Sequence, residues 1–180
     1  MRERFGGPVG YASIPLEAVD WAPFDIIASD AGYRDATTAA AFPQTLAAAV
    51  GQGKPYAATE FGCCTFRGAA EVAGGPEPVT YDEHGRAAKL TAELERDEEG
   101  QARYLVDLLR DYEAGGVEAA FVYTFANRHL PTTEDPERDF DLAARGIVRL
   151  LPDGSWTPKA AFHALAAYGR SRRPAEIPPA

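Results

Sequence analysis

The residue best placed for chemistry is Glu60, in the stretch KPYAATEFGCCT that spans residues 54–65. It ends a short apolar segment that follows turn-forming Gly and Pro, and such a run predicts a buried strand. A carboxylate at a strand end could act as a nucleophile if neighbouring hydrogen-bond donors keep it ionised. It could equally pair with an arginine at the mouth of the fold and take no part in chemistry.

A second acid, Asp30, ends the strand-like segment FDIIASD (24–30) one βα repeat earlier. It could act as a second carboxylate, orient a substrate hydroxyl, or cap the following turn, since Asp before Ala-Gly is ordinary turn chemistry. Tyr33 and Arg34 follow at once and could reach the same pocket. There Arg34 could hold a carboxylate in place.

The other chemically able residues carry weaker signals. Cys63 and Cys64 lack the basic neighbourhood and histidine partner of a reactive thiol, so buried reduced thiols are expected. Three scattered histidines show no metal-ligand spacing. The acidic run EDPERDFD (134–141) could bind a hard cation, but it lacks a regular calcium-loop pattern and favours a solvated loop.

The elements that must position these residues alternate along the chain. Four mostly apolar, strand-like segments are expected, at residues 8–13, 24–30, 56–61 and 119–125. Helices are expected at residues 16–22, 36–50 and 97–115, and after an N-cap and first-turn pair formed by Thr157 and Pro158. Apolar strands alternating with helices indicate a parallel α/β architecture.

Two long excursions, at about residues 62–96 and 127–145, follow the third and fourth strands. Their Gly, Pro and charged residues predict irregular structure. Both leave the carboxyl ends of strands, which is the face where α/β barrels carry their active sites.

These segments resemble the second half of a clan A glycoside hydrolase barrel. The stretch YAATEFG resembles its seventh strand, which ends in the nucleophile, and AFVYTF resembles the eighth. The stretch PVGYASIPLEAVDWAPFDIIASDAGYRDA resembles the fifth and sixth strands, and WTPKAAFHALAAY the final helix with its lead-in. TEFGCCTFRGAA and DEEGQARYL are similar to an actinobacterial family of barrel proteins labelled "abortive infection protein".

The resemblance implies a partial TIM (β/α)8 barrel, strands five to eight with their helices, over residues 1–171, and a disordered Pro-rich tail at 172–180. MRERFGG (1–7) resembles the end of a fourth helix. Strands one to four, and the fourth-strand acid that serves as general acid/base in the clan, have no counterpart here. Such a half-barrel exposes two strand edges. It could form a homodimer through them, or the chain is a fragment whose start lies upstream.

The resemblance also implies a function. Glu60 becomes the candidate nucleophile of a glycoside hydrolase-like protein, with Asp30, Tyr33 and Arg34 in its pocket. Tyr123 and Phe125 could form an aromatic sugar platform, although core packing is expected for at least one of them because alternate strand residues point opposite ways. The alternatives are a non-catalytic carbohydrate-binding or interaction module, or an inactive truncated fragment.

Composition excludes other classes of function. The net charge is −9, whereas nucleic-acid surfaces need clustered Lys and Arg. Hydrophobic residues make up 46% and charged residues 25%, as in ordinary globular proteins. No apolar run approaches the roughly 18 residues of a membrane span. A small carbohydrate is the expected partner, no cofactor is expected, and the lack of a signal-peptide core in MRERFGG favours a cytoplasmic location.

Overall fold

A computed structural model describes residues 4–14, 16–30 and 32–172. Its main feature is a four-stranded sheet in the order β1-β2-β3-β6, in which every neighbouring pair is parallel. The strands are β1 (Gly10–Ser13), β2 (Ile26–Ser29), β3 (Tyr56–Phe61) and β6 (Ala119–Val122). All four expected strands are therefore present, although the last ends before Tyr123. Among the described residues no strand pairs with the outer edge of β1 or β6.

The longest helix is α2 (Glu98–Gly115), close to the predicted bounds. Asp97 caps its start by accepting a hydrogen bond from the Gly100 amide at 2.8 Å. Gly116 ends it with φ of +78°, a left-handed conformation that glycine adopts without steric cost.

The helix expected over 36–50 is shorter than predicted. Residues 36–41 form turns, and α1 covers Phe42–Val50, with Pro43 in its first turn. Proline is tolerated there because its missing amide would have no partner inside the helix. The short helix expected over 16–22 is wrong, since none of these residues is helical and the segment consists of turns, a bend and irregular chain.

The expected start of the last helix is also wrong. Trp156–Pro158 forms strand β8, which pairs antiparallel with β7 (Val148–Leu150). Helix α3 begins after it and covers Ala160–Ser171. The Glu98 carboxylate accepts a hydrogen bond from the Ala160 amide at 3.2 Å. The first turn of α3 is therefore capped by a side chain distant in sequence and not by Thr157.

Neither excursion is wholly irregular. The first contains a short 3-10 helix (Ala69–Val72) and an antiparallel hairpin formed by β4 (Val79–Tyr81) and β5 (Ala87–Leu90). The second contains a 3-10 helix (Phe140–Ala143) that shares a hydrophobic cluster with the hairpin. The two excursions therefore pack on each other.

The main core lies between the parallel sheet and α2. Phe61 of β3 meets Tyr112 edge-on with ring centroids 5.2 Å apart, and Leu105 and Leu108 are almost fully buried beside them. Burying each such side chain contributes about 1.5–3 kcal/mol. This core fixes the strand that carries Glu60. No described helix is long and apolar enough to cross a membrane, and the predicted tail beyond Arg172 lies outside the described residues.

Candidate active site

Glu60 lies where the pairing of β3 with β6 shifts register. Ala58 faces Ala120 and Phe61 faces Val122, so three steps along β3 match two along β6. The extra residue makes a β-bulge or similar irregularity between Ala58 and Phe61, the stretch that contains Thr59 and Glu60. Bulges re-aim side chains and are frequent beside active sites.

Glu60 opens onto a cleft of about 890 Å³ at the carboxyl ends of the sheet strands. The walls come from the segments that follow β2, β3 and β6. Its polar lining includes Asp30, Tyr33, Glu60, Glu77, Tyr123, His129 and Arg145. The cleft is of the size that encloses a small ligand.

Tyr33 is the direct partner of Glu60, donating its hydroxyl proton to Oε1 at 2.5 Å. Burial first, and then this hydrogen bond, raise the pKa of Tyr33, so the phenol remains a neutral donor. The segment that carries Gly32 and Tyr33 passes very close to β3: a Cβ atom on Gly32 would lie 2.5 Å from the Glu60 carbonyl oxygen. Glycine is therefore required at position 32 for Tyr33 to reach the carboxylate.

Asp30 follows β2 directly and lines the same cleft as Glu60. Its Oδ1 atom is buried and has no hydrogen-bond partner among the described residues, so this oxygen caps no described turn. Burial, and then the negative charge of Glu60, raise the pKa of Asp30 above its usual range. The structure thus brings Asp30, Tyr33 and Glu60 together.

Arg34 and Phe125 are not brought to the cleft. The Arg34 guanidinium pairs with Asp111 of α2, and its amide donates to the Tyr104 hydroxyl at 3.1 Å. The Phe125 ring packs edge-on against Trp156 with centroids 5.3 Å apart. Of the two predicted platform residues, Tyr123 lines the cleft and is 38% exposed.

Three further lining residues, Glu77, His129 and Arg145, were missed by sequence reasoning and form a network around Glu77. Glu77 lies within 3.4 Å of Arg145 and 3.5 Å of His129, and it accepts a hydrogen bond from Tyr81 at 2.9 Å. Arg145 also lies 5.8 Å from the centre of the Tyr33 ring. The sequence signal that could have indicated this network is the charge on both long excursions, which start from the same end of the sheet.

The two cysteines are buried and free. Burial raises the pKa of Cys64 to about 11 and raises that of Cys63 as well, so neither is a ready nucleophile. The Cys64 thiol instead donates to the Ala143 carbonyl at 3.1 Å.

The acidic run is not simply a solvated loop. Asp139 and Asp141 both pair with Arg96, at 2.6 and 2.7 Å. Asp141 also accepts from the Lys159 ammonium at 2.8 Å, and the Lys159 side chain is fully buried. No cluster of His, Cys, Asp and Glu in the described part of the chain is arranged to hold a metal ion.

Comparison with known proteins gives structural relatives only. No protein-family model and no curated protein matches the chain, so the resemblance to the abortive infection family finds no support there. Two solved structures of a GH113 beta-1,4-mannanase, one of them a complex, match with a TM-score of 0.58 and 19% identity.

The match covers 95% of this chain and 48% of each mannanase chain, so the chain spans about half the length of the structures that it resembles. At this identity the likeness concerns the fold alone. The chain has an α/β fold with a parallel sheet, similar to about half of the GH113 mannanase structures.

Proposed function

We propose that this chain is the glycoside hydrolase-like half of a (β/α)8 barrel, with Glu60 as the nucleophile. The observation that carries the proposal is the setting of Glu60. Its carboxylate opens from the register shift near the carboxyl end of β3 into a cleft of about 890 Å³, where Tyr33 donates to it at 2.5 Å. In α/β barrels this end of the strands is where catalytic residues lie.

Retaining glycosidases need a nucleophile and an acid/base about 5 Å apart. The acid/base that the clan carries on its fourth strand has no counterpart in this sequence. Because the mannanases that share the fold act on a β-1,4-linked polysaccharide, β-mannosides and β-glucosides are the first substrates to test. Fold alone does not fix the sugar.

The strands β1, β2, β3 and β6 are proposed to correspond to barrel strands five to eight. This would leave β1 and β6 as open edges, and Tyr11 and Phe121 on these strands are 41% and 57% exposed. Unpaired edges recruit partners. A second copy of the chain could cover both edges at once and give a homodimer.

The activity test uses dinitrophenyl β-glycosides, because dinitrophenolate departs without receiving a proton. The chain needs only its nucleophile for the first step, even if the acid/base lies elsewhere. We expect wild type to release dinitrophenolate and Glu60→Gln to lose about 10⁴-fold or more of the rate. Glu99→Gln, on the exposed first turn of α2, should match wild type.

Calorimetric titration with manno- and gluco-oligosaccharides completes this test. Glu60→Gln should keep the affinity of wild type within a few-fold. If wild type and Glu60→Gln bind a sugar equally and neither releases dinitrophenolate, the chain is a carbohydrate-binding module and the enzyme proposal is wrong.

The edge proposal has a separate test by light scattering after gel filtration. Wild type should have twice the mass of one chain. The Phe121→Glu variant should have the mass of a single chain, because a charge at the strand edge opposes pairing. Val72→Glu is the matched control, since Val72 is 54% exposed on the 3-10 helix of the first excursion. A monomeric wild type would refute the homodimer.

A further inference from the structure

Two carboxyl groups leave neighbouring strands at almost the same level. Strands β2 and β3 are parallel, with Ser29 opposite Ala58. The next residue, Asp30, is therefore level with Thr59, one position before Glu60. Adjacent strands lie about 4.8 Å apart, a spacing compatible with the roughly 5 Å between the carboxyls of a retaining glycosidase.

The two carboxyl groups have unequal surroundings. Glu60 accepts a hydrogen bond from the Tyr33 hydroxyl at 2.5 Å. Oδ1 of Asp30 is buried without a partner among the described residues, whereas its main-chain amide is fixed by donating to the Ser13 carbonyl at 3.0 Å. Two acids whose surroundings differ in this way can divide the roles of acid and base.

The charges around Asp30 favour its protonated form. After burial, the negative charges of Glu60 and Glu17 raise the pKa of Asp30. Tyr56 of β3 also faces Asp30, as a neutral phenol whose own pKa is raised by burial. These surroundings make protonation of Asp30 easier than that of a solvent-exposed aspartate, and Asp30 lines the cleft where a ligand oxygen could accept the proton.

We propose that Asp30 is the acid/base of this cleft, so that both carboxyls needed for glycoside hydrolysis lie on this one chain; the proposal rests on the function proposed for Glu60. In the first step a Glu60 oxygen bonds to the anomeric carbon. The bond from that carbon to the glycosidic oxygen breaks, and the departing oxygen takes the proton of Asp30.

In the second step the Asp30 carboxylate takes a proton from water as the water oxygen attacks the anomeric carbon. The ester bond to Glu60 breaks and Glu60 returns as a carboxylate. The products are the free sugar and the alcohol, and Asp30 ends protonated, as it began. No other reactant is required.

The test compares two leaving groups on the same sugar. Dinitrophenolate leaves without a proton, whereas methylumbelliferone, a much weaker acid, leaves faster when it receives one. Asp30→Asn should lower the rate of methylumbelliferone release about 10²–10⁴-fold, while the first burst of dinitrophenolate stays within a few-fold of wild type. Asp107→Asn is the matched control, because Asp107 lies on the exposed face of α2 with Arg110 as its partner.

Azide supplies a readout that a structural role would not change. In Asp30→Ser the cleft gains room, and azide should restore turnover of the dinitrophenyl glycoside and form a glycosyl azide, because azide attacks without a general base. The dinitrophenolate burst itself reports that each variant is folded.

The outcomes separate this proposal from the one on which it rests. If wild type releases dinitrophenolate no faster than Glu60→Gln does, the proposed function is wrong, and so is the role of Asp30 that rests on it. If wild type gives the burst but Asp30→Asn slows both leaving groups equally, or azide rescues nothing, Glu60 stands and Asp30 is not the acid/base. Normal release of methylumbelliferone by Asp30→Asn would also overturn the proposal.

Discussion

Replacing Lys159 with methionine removes a cation from the point where the two excursions meet helix α3. The Lys159 ammonium donates to Asp141 at 2.8 Å and to the Thr65 hydroxyl at 2.7 Å, and its side chain is fully buried. Burial lowers the pKa of Lys159, and the charge of Asp141 opposes this. The contacts tie the start of the first excursion to the end of the second.

The expected loss follows from what remains after the substitution. Removing one partner of a buried ion pair costs about 3–5 kcal/mol because the other charge is left unpaired. Here Asp141 keeps Arg96 at 2.7 Å, and Thr65 still donates to the Ala144 carbonyl at 3.0 Å. The loss in free energy of unfolding should therefore lie at the lower end, about 3 kcal/mol.

Thermal unfolding followed by circular dichroism checks this value. For a chain of 180 residues, about 3 kcal/mol corresponds to a Tm lower by about 6–12 °C. Arg67→Met is the matched control: it breaks an ion pair with Glu95 whose side chains are 64% and 67% exposed, and it should cost less than about 1 kcal/mol.

A double-mutant cycle with Asp141→Asn should show that the losses at positions 159 and 141 do not add, because the two groups are in contact. Equal losses for Lys159→Met and Arg67→Met would refute the reasoning, since burial would then make no difference to the pair.

Three further predictions concern the surroundings of Glu60. Tyr33→Phe removes a charge-assisted hydrogen bond of about 1.5–3 kcal/mol, so kcat/KM for dinitrophenyl glycosides should fall about 10- to 100-fold; an unchanged value would contradict this. Gly32→Ala places a Cβ 2.5 Å from a backbone oxygen and should cost about 1–3 kcal/mol in urea unfolding, and no loss would show that the segment relaxes freely. Cys63 and Cys64 should resist iodoacetamide at neutral pH until the chain unfolds, because their raised pKa values leave little thiolate. Rapid labelling of the folded chain, seen in a mass spectrum, would show that the two thiols are not buried and unreactive.

The sequence predicted best where the signal is local. The apolar runs became parallel strands, and Asp97 and Gly116 mark the ends of α2 because capping depends on adjacent residues. The local capping signal of Thr157-Pro158 gave a wrong prediction because both residues belong to strand β8. Arg149 pairs with Thr157 across the β7–β8 hairpin, so tertiary pairing overrides the capping preference.

The candidate site was only partly predictable for the same reason. Asp30, Tyr33 and Glu60 share a cleft because they lie at or just beyond the carboxyl ends of neighbouring parallel strands, which the order of elements implies. The register shift between Ala58 and Phe61 could not be predicted, since it is defined only by the pairing of β3 with β6. Glu77 and Arg145 meet from two different excursions, and no pattern within either segment indicates their contact.

The most direct measurement of the central claim is a covalent trap of the nucleophile. A dinitrophenyl β-glycoside with fluorine in place of the hydroxyl beside the anomeric carbon forms the glycosyl ester and then hydrolyses slowly. Intact-mass and peptide mass spectra of the treated chain should show one sugar, attached to Glu60, and none on Glu60→Gln. A sugar on another residue, or an unlabelled chain after exhaustive treatment with both the manno and gluco reagents, would contradict the assignment of Glu60 as nucleophile.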